Sequence, residues 1–424
     1  MFRLIINDAM DRHFVMPTGR GRGGWITTQA AEILSASVIS SDNPKESTFI
    51  LHANELQWIK NDRFNGTIRR INTAHHLKRI QVELTTRCNL KCAYCYSESG
   101  PANDKSLDAA SILALLADAD EMGVVTVDFT GGEVLLHKNW EQIIGFAKSR
   151  GFVISVHTNG TALNERNVQM LRAMNVNYLQ VAIDSHKPDV HDFVRGSAGA
   201  LEKSLSGIER AVSSGIRTKI TLMIHSANVH ELPQSINYLK ERFGNHVDLA
   251  LDRLMPTGGE LSARLAISPK DYYEAVTPLT RRSVVTSKKC ESQAGEQDFE
   301  PHCGVGQSFA YITSDGEIAA CPTMTSRDNE IFRGANLRDM TLQDAWLYHP
   351  TFTKYRFVNC QNVKHCPAGT ICRGGCRSNA YFETGDITSP DVVSCNTHKN
   401  PNVNFIDFHE EYRRQKINSI SSVV

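Results

Sequence analysis

No apolar run in the sequence approaches the roughly 20 residues that a helix needs to cross a bilayer. The opening stretch, Met1-Phe2-Arg3-Leu4-Ile5-Ile6-Asn7-Asp8, lacks the long apolar segment of a signal peptide. A cytoplasmic protein with no membrane partner is therefore expected. Excess charge of either sign is also missing: 46 Lys and Arg face 46 Asp and Glu, a formal net charge of +0. That argues against a nucleic-acid partner, which calls for a basic footprint, and against an acidic tail. Solenoid-length repeats and low-complexity tracts are absent as well.

Cysteine is missing from residues 96 to 289, although the chain has 11. Three lie near position 90 and the other eight between 290 and 395. In a reducing compartment such clustered cysteines are better candidates for metal ligands than for disulfides.

The length, 424 residues, exceeds one ordinary domain. Residues 1–77 read as a small N-terminal region, with a flexible break at Arg20-Gly21-Arg22-Gly23-Gly24. In it, Trp25 to Ser37 suits a helix with Ala30, Ala31, Ile33 and Leu34 on one face. Thr48 to Ile59 has short apolar runs suited to strands. From 78 to about 256, β-branched apolar runs alternate with amphipathic stretches. Candidate strands are Arg79–Leu84, Val124–Phe129, Phe152–His157, Tyr178–Ile183, Thr218–Ile224 and His246–Arg253. Candidate helices include Ser106–Glu121 and Glu165–Met174. Six such units imply an α/β fold with a parallel sheet, a partial (β/α)6 TIM-like barrel short of the eight units of a closed one. The barrel is expected to occupy 78–270, and a separate cysteine-rich domain 271–424.

The unusual residues follow the candidate strands. Strand one leads into the cysteines, strand two into Gly131-Gly132-Glu133, and strand three into Thr158-Asn159-Gly160. Strand four leads into Asp184-Ser185 and strand six into Pro256-Thr257-Gly258-Gly259. In a parallel barrel these loops emerge on one face, where active sites are built; Gly, Asn and Asp are also ordinary loop residues.

Cys88, Cys92 and Cys95 form a C-x3-C-x2-C run. Three thiolates on a short loop can hold three corners of a cubane cluster, leaving the fourth iron open to a small molecule. Structural zinc normally takes four ligands, and the nearest downstream histidine is His137. The run resembles the signature of the radical SAM superfamily, including the aromatic Tyr94 before the last cysteine. That resemblance extends over about 78–256 and implies a [4Fe–4S] cluster that binds S-adenosylmethionine (SAM). It implies that Gly131, Gly132 and Glu133 hold the SAM amino group, that Asp184 and Ser185 contact SAM, and that Arg195, in Arg195-Gly196, grips its carboxylate. Tyr94 is expected near the adenine. The implied chemistry is reductive cleavage of SAM to methionine and a 5′-deoxyadenosyl radical, which abstracts a substrate hydrogen.

The C-terminal cysteines are Cys290, Cys303, Cys321, Cys360, Cys366, Cys372, Cys376 and Cys395. Tyr311 to Ile318 reads as a hairpin with Asp315-Gly316 at its turn. This segment resembles the SPASM extension of radical SAM enzymes, which holds two auxiliary [4Fe–4S] clusters. By resemblance, Cys290, Cys303, Cys321 and Cys376 hold the first and Cys360, Cys366, Cys372 and Cys395 the second. Two spacings depart from the pattern: five residues separate Cys360 from Cys366, and Cys290 lies far from Cys303. A zinc-ribbon reading, with His302, His365 and His398 nearby, stays open.

Enzymes of this kind mostly modify peptides. The resemblance implies a ribosomally made precursor peptide as substrate, a thioether or carbon–carbon crosslink as product, and a flavodoxin or ferredoxin as electron donor. Residues 1–77 would suit peptide recognition by strand addition. Arg373-Gly374-Gly375-Cys376-Arg377 also resembles haem-pathway relatives. Sulfatase-type maturation is disfavoured by Pro322, where those maturases carry an acidic residue. A non-catalytic zinc protein is the alternative of another class. No catalytic acid or base is legible; barrel-mouth candidates are His157, Asp184, His225, Asp252 and Arg253.

Overall fold

The first strand carries two alternating faces, and both are covered. In β1 (Phe2–Asn7) every residue is buried. Phe2, Leu4 and Ile6 face a small core with Val15, Leu34, Ala53 and Trp58. Ile5, on the other side, packs with Ile71 and Val125. The computed structural model describes residues 2–9, 12–18, 23–40, 43–257, 260–280, 304–366, 372 and 374–397. Cys290, Cys303, Gly258, Gly259, His302, Arg373 and His398 lie outside the described residues.

The N-terminal region continues with β2 (Arg12–Pro17), β3 (Gly24–Ile26), α1 (Thr28–Ser35), α2 (Pro44–Glu55), β4 (Ile59–Lys60), β5 (Arg63–Phe64) and β6 (Gly66–Ile71). Its main sheet runs β3-β2-β1-β6, so β3 is an edge. The helix expected after Trp25 is α1, and it buries Ala30, Ala31 and Leu34. The strands expected over Thr48–Ile59 are not there: most of that stretch is α2. Asn43 caps α2 by accepting from the Lys45 N–H, and Pro44 opens its first turn. Capping and a preset φ outweigh the β-propensity of the short Thr48-Phe49-Ile50 run.

The barrel is built from β7 (Arg79–Glu83), α3 (Ala109–Glu121), β8 (Thr126–Thr130), α4 (Trp140–Ser149), β9 (Val153–Thr158), α5 (Glu165–Ala173), β10 (Tyr178–Ala182), α6 (Pro188–Arg195), α7 (Ala200–Ser213), β11 (Thr218–Ile224), α8 (Leu232–Phe243) and β12 (Val247–Arg253). The six strands are parallel and pair in sequence order. All six expected strands are present, with ends shifted by at most two residues. Ile80, Val82, Val127 and Phe129 pack against Ile112 and Leu116 of α3 and Ile143 of α4. The alternate residues Gln81, Asp128 and Thr130 are polar. The lumen side of this barrel is therefore polar, unlike the layered apolar interior of a closed one.

The expected hairpin is β13 (Phe309–Ile312) and β14 (Glu317–Ala319), joined through Asp315-Gly316. It extends the barrel sheet: β13 pairs in parallel with β7, Phe309 opposite Arg79 and Ile312 opposite Val82. With β15 (Ala335–Asn336) the sheet reaches nine strands. Among the described residues no helix is long and apolar enough to cross a membrane.

The N-terminal sheet docks at the starts of the barrel strands through a buried ionic node. Asp120, at the end of α3, accepts from Arg3 at 2.7 Å, Arg69 at 2.5 Å and Arg150 at 3.3 Å; Arg3 and Asp120 are fully buried. Burial pushes the Asp120 carboxyl up, but the guanidinium groups of Arg69 and Arg3 hold it below the usual carboxylate range. A carboxyl depressed in the folded state contributes stability above its unfolded pKa of about 3.9, and that stability is lost as pH falls through the folded value. Asp120→Asn leaves Arg3 as an uncompensated buried charge and is expected to cost about 3–5 kcal/mol. Urea unfolding at pH 7 measures the loss, and the gap between wild type and variant should narrow as the pH is lowered below 4.

Candidate functional site

The cysteine run leaves β7 and is fixed by backbone contacts on two sides. On one, the Gly132 N–H donates to the Thr85 carbonyl at 2.6 Å and the Glu133 N–H to the Arg87 carbonyl at 2.9 Å. A Cβ at Gly132 would lie 2.5 Å from the Arg87 oxygen, and one at Gly131 would lie 2.7 Å from the Thr85 oxygen. On the other, Lys91 and Ala93 donate their N–H groups to the carbonyls of Arg195 and Val194 at the end of α6. Gly196 ends that helix with φ +63°, and a Cβ there would meet the Lys91 oxygen at 2.3 Å. Both glycine elements therefore have a local reason to be glycine: they let the loop lie against backbone.

Hydrogen-bond donors surround the three sulfurs. The Leu90 N–H points at Cys88 Sγ (3.4 Å) and the Ser99 N–H at Cys95 Sγ (3.3 Å). Asn159 Nδ2 is 3.7 Å from Cys88 Sγ and Arg195 Nη1 3.8 Å from Cys92 Sγ. Burial pushes the Cys88 thiol up to about 12 and raises that of Cys92. Donors aimed at sulfur favour the thiolate that a metal requires. Asn159 was marked in the sequence only by its place in the Thr158-Asn159-Gly160 loop after strand three, with no role assigned; Ser99 was not singled out, and nothing local marks it.

A second constellation stands behind Tyr94. Fully buried Asp184 accepts from Tyr94 Oη and from Arg195 Nε, each at 2.6 Å. The guanidinium lies over the Tyr94 ring, 5.5 Å from its centroid. Burial opposes ionisation of Asp184, but Arg195 and His191 bring its carboxyl below the usual range. Arg195 Nη2 is buried and has no hydrogen-bond partner. His225, 6.1 Å from the Tyr94 ring, is buried with both ring nitrogens unpartnered, and burial lowers its pKa.

One cavity of about 270 Å³ joins these parts. Its wall includes Cys88, Cys92, Tyr94, Cys95, Gly131, Gly132, Asn159 and Arg195, and at the far end Arg253, Met255 and Thr323. Three residues expected to contact SAM, Glu133, Asp184 and Ser185, are not part of that wall. The Glu133 carboxylate is spent on Thr158 Oγ1 and on the N–H groups of Asn159 and Leu135. Asp184 holds Tyr94 and Arg195 from behind. Ser185 Oγ donates to Glu231. These residues position the wall; Gln180, Ala182 and His157 line it instead.

The described C-terminal cysteines gather in two places. Cys321, just past β14, lies beside Cys376, which begins the helix Arg377–Thr384 and accepts from the Asn379 N–H at 3.4 Å. Cys360, Cys366, Cys372 and Cys395 line one small cavity. The long step from Cys360 to Cys366 is taken up by successive turns, Val363 to Cys360 and His365 to Asn362.

The Radical SAM superfamily profile matches residues 82–239. This part of the chain is a radical SAM domain. The SPASM profile, an iron–sulfur cluster-binding domain, matches 303–377. This radical SAM chain is 27% identical over 334 residues to a PqqA peptide cyclase of Xanthomonas campestris pv. campestris strain 8004, covering 74% of this chain and 85% of that one. It is 24% identical to the PqqA peptide cyclase of Methylocella silvestris, over 73% and 85% of the two chains. Among solved structures it resembles Streptococcus suis SuiB bound to precursor peptide SuiA, with TM-score 0.67 and 14% identity over 93% of this chain and 98% of that one. It also resembles anSMEcpe with bound AdoMet, with TM-score 0.59 and 17% identity over 82% and 95%. These two likenesses concern the fold. Iron–sulfur clusters and SAM are the cofactors of this superfamily and its SPASM extension.

Gly196→Ala should displace the cysteine loop without touching a sulfur. The reconstituted variant is expected to hold about four fewer iron and sulfide per chain than wild type, with its far-UV circular dichroism unchanged.

Proposed function

We propose that this radical SAM enzyme installs a crosslink, thioether or carbon–carbon, in a ribosomally made precursor peptide. The observation that carries the reading is the single cavity running from Cys88, Cys92 and Cys95 to Thr323, two residues beyond Cys321. Relatives named as peptide cyclases, which match three quarters of the chain, support the substrate class.

The residues present fit the cofactors. Cys88, Cys92 and Cys95 would hold three irons of the first cluster. The unpartnered Arg195 Nη2 has the chemistry to take the SAM carboxylate, and Gly131 and Gly132, which line the cavity, have carbonyls that could accept from its ammonium. Asp184 would fix the Arg195 guanidinium, and Tyr94 would pack against the adenine. When bound, the reduced cluster and SAM supply a 5′-deoxyadenosyl radical that abstracts hydrogen. The protein's part is to orient the reactants and keep water from them. Cys321 and Cys376 would belong to one auxiliary cluster, together with Cys290 and Cys303. Cys360, Cys366, Cys372 and Cys395 would hold the other. A flavodoxin or ferredoxin would deliver electrons.

In this reading residues 1–77 recognise the peptide, 78–270 carry the radical chemistry and 271–424 the auxiliary clusters. Edge strand β3 offers a place for an added strand, with Trp25 62% exposed beside it. Trp25 lies against Lys78, at the start of β7, whereas the cysteines follow the end of β7. A peptide held at β3 and modified in the cavity must span the barrel, and β7 alone rises about 17 Å.

Two outcomes test the proposal. Cys92→Ala should form no deoxyadenosine by liquid chromatography, and normal turnover would refute it. A precursor with fewer than about five residues between its recognition segment and its modified residue should bind but escape modification, because an extended residue reaches only about 3.5 Å. Mass spectrometry of a spacer-deletion series reads this directly.

A further inference from the structure

Cys321 and Cys376 each carry a hydroxyl residue two positions on, Thr323 and Ser378, and these two hydroxyls meet. Thr323 Oγ1 is 3.3 Å from Cys321 Sγ and 2.8 Å from Ser378 Oγ. Ser378 is buried, and its second neighbour is Met255 Sδ at 3.9 Å. Thr323 and Met255 both line the cavity that contains Cys88, Cys92 and Cys95. Among the described residues, Thr323 both bonds the Cys321 sulfur and lines the space where substrate would lie.

The polarity of this chain of hydroxyls depends on the state of Cys321. A free thiol can donate to Thr323. A thiolate bound to iron has no proton and only accepts. The Thr323 O–H must then donate to sulfur, and its oxygen is left to accept from Ser378. Ser378 fills that role by turning its proton from Met255 to Thr323.

Resting on the auxiliary-cluster reading above, we propose that Thr323 is a positioning residue that tunes the auxiliary cluster held by Cys321, its hydroxyl donating to the thiolate and Ser378 fixing that polarity. Hydrogen bonds to cluster sulfurs stabilise the more negative, reduced state and so raise the reduction potential. The geometry makes Thr323 the point at which events in the substrate cavity reach that cluster.

The test uses the full-length protein reconstituted anaerobically, in wild-type, Thr323→Val, Thr323→Ser and Ser378→Ala forms. Iron is counted first, then each cluster's midpoint potential is measured by redox titration monitored by electron paramagnetic resonance. Thr323→Val, which keeps the shape and loses the hydroxyl, should lower the potential of one auxiliary cluster and leave that of the SAM-binding cluster in place. Thr323→Ser should restore it, and Ser378→Ala should lower it by less. With about twelve iron per chain, identical auxiliary potentials in wild type and Thr323→Val would overturn this proposal alone. About four iron per chain in wild type would remove the auxiliary clusters and overturn both this proposal and the reading beneath it.

Discussion

The site depends on a backbone-to-backbone contact. The loop bearing Cys88, Cys92 and Cys95 is gripped between the Gly131-Gly132 turn after β8 and the Gly196 end of α6, and a Cβ at Gly132 or Gly196 would lie 2.5 Å or less from a loop carbonyl. Real Cβ atoms do not approach oxygen that closely, so the loop's position is set by what these residues lack. The same contact orders the rest of the wall. It brings Arg195 beside the Cys92 sulfur, and Asp184 then aligns Arg195 and Tyr94. Glu133, next in sequence to the glycines, secures its own turn to Thr158 and Asn159. Three barrel loops thereby become one rigid surface, the preorganisation that a reactive intermediate demands.

Two buried acids join the outer parts to the barrel, at opposite ends. Asp120 gathers arginines from β1 and β6 at the starts of the strands. Glu83, the last residue of β7, accepts from Tyr311 at 2.5 Å, from Ser314 Oγ at 2.6 Å and from Arg327 at 2.8 and 3.0 Å. Buried ion pairs add little net stability over apolar packing, because desolvation offsets the attraction. Their geometric demand is strict, however. A carboxylate that must meet several donors at once admits one docking angle where a greasy patch admits many. Register is the better explanation of both nodes.

Much of this was legible in the sequence because the relevant signals are local. Strand–helix alternation gave the six barrel strands, and Asp315-Gly316 marked the hairpin. The cysteine spacing marked out the loop that leaves β7. What was not legible depends on side-chain direction or on competition between signals. Glu133, Asp184 and Ser185 were expected, from the family resemblance, to contact SAM; the sequence does not tell which way their side chains point, and in the fold their polar atoms bond Thr158, Tyr94, Arg195 and Glu231. Over Thr48–Ile59 a cap at Asn43, five residues before Thr48, decided for helix. The unusual spacing of Cys360 proved no obstacle to its meeting Cys366, Cys372 and Cys395, since turns take up the added residues.

The strand order explains why the chemistry can occupy one cavity although its cysteines are separated by more than two hundred residues. A six-stranded barrel is open, and its β7 edge would be an unpaired row of backbone donors and acceptors. β13 fills that edge in parallel with β7. Parallel pairing sends both strands toward the same end of the barrel, so the chain leaving β7 and the hairpin beginning at β13 emerge side by side. The first carries Cys88, Cys92 and Cys95. The second returns through β14 to Cys321 and then Thr323, whose side chain reaches the same cavity. An antiparallel β13 would have directed its hairpin to the opposite end, beside the N-terminal sheet. The direction of one strand pairing therefore brings the Cys88–Cys95 loop and Cys321 to the same end of the barrel, where the Thr323 hydroxyl links the Cys321 sulfur to Ser378.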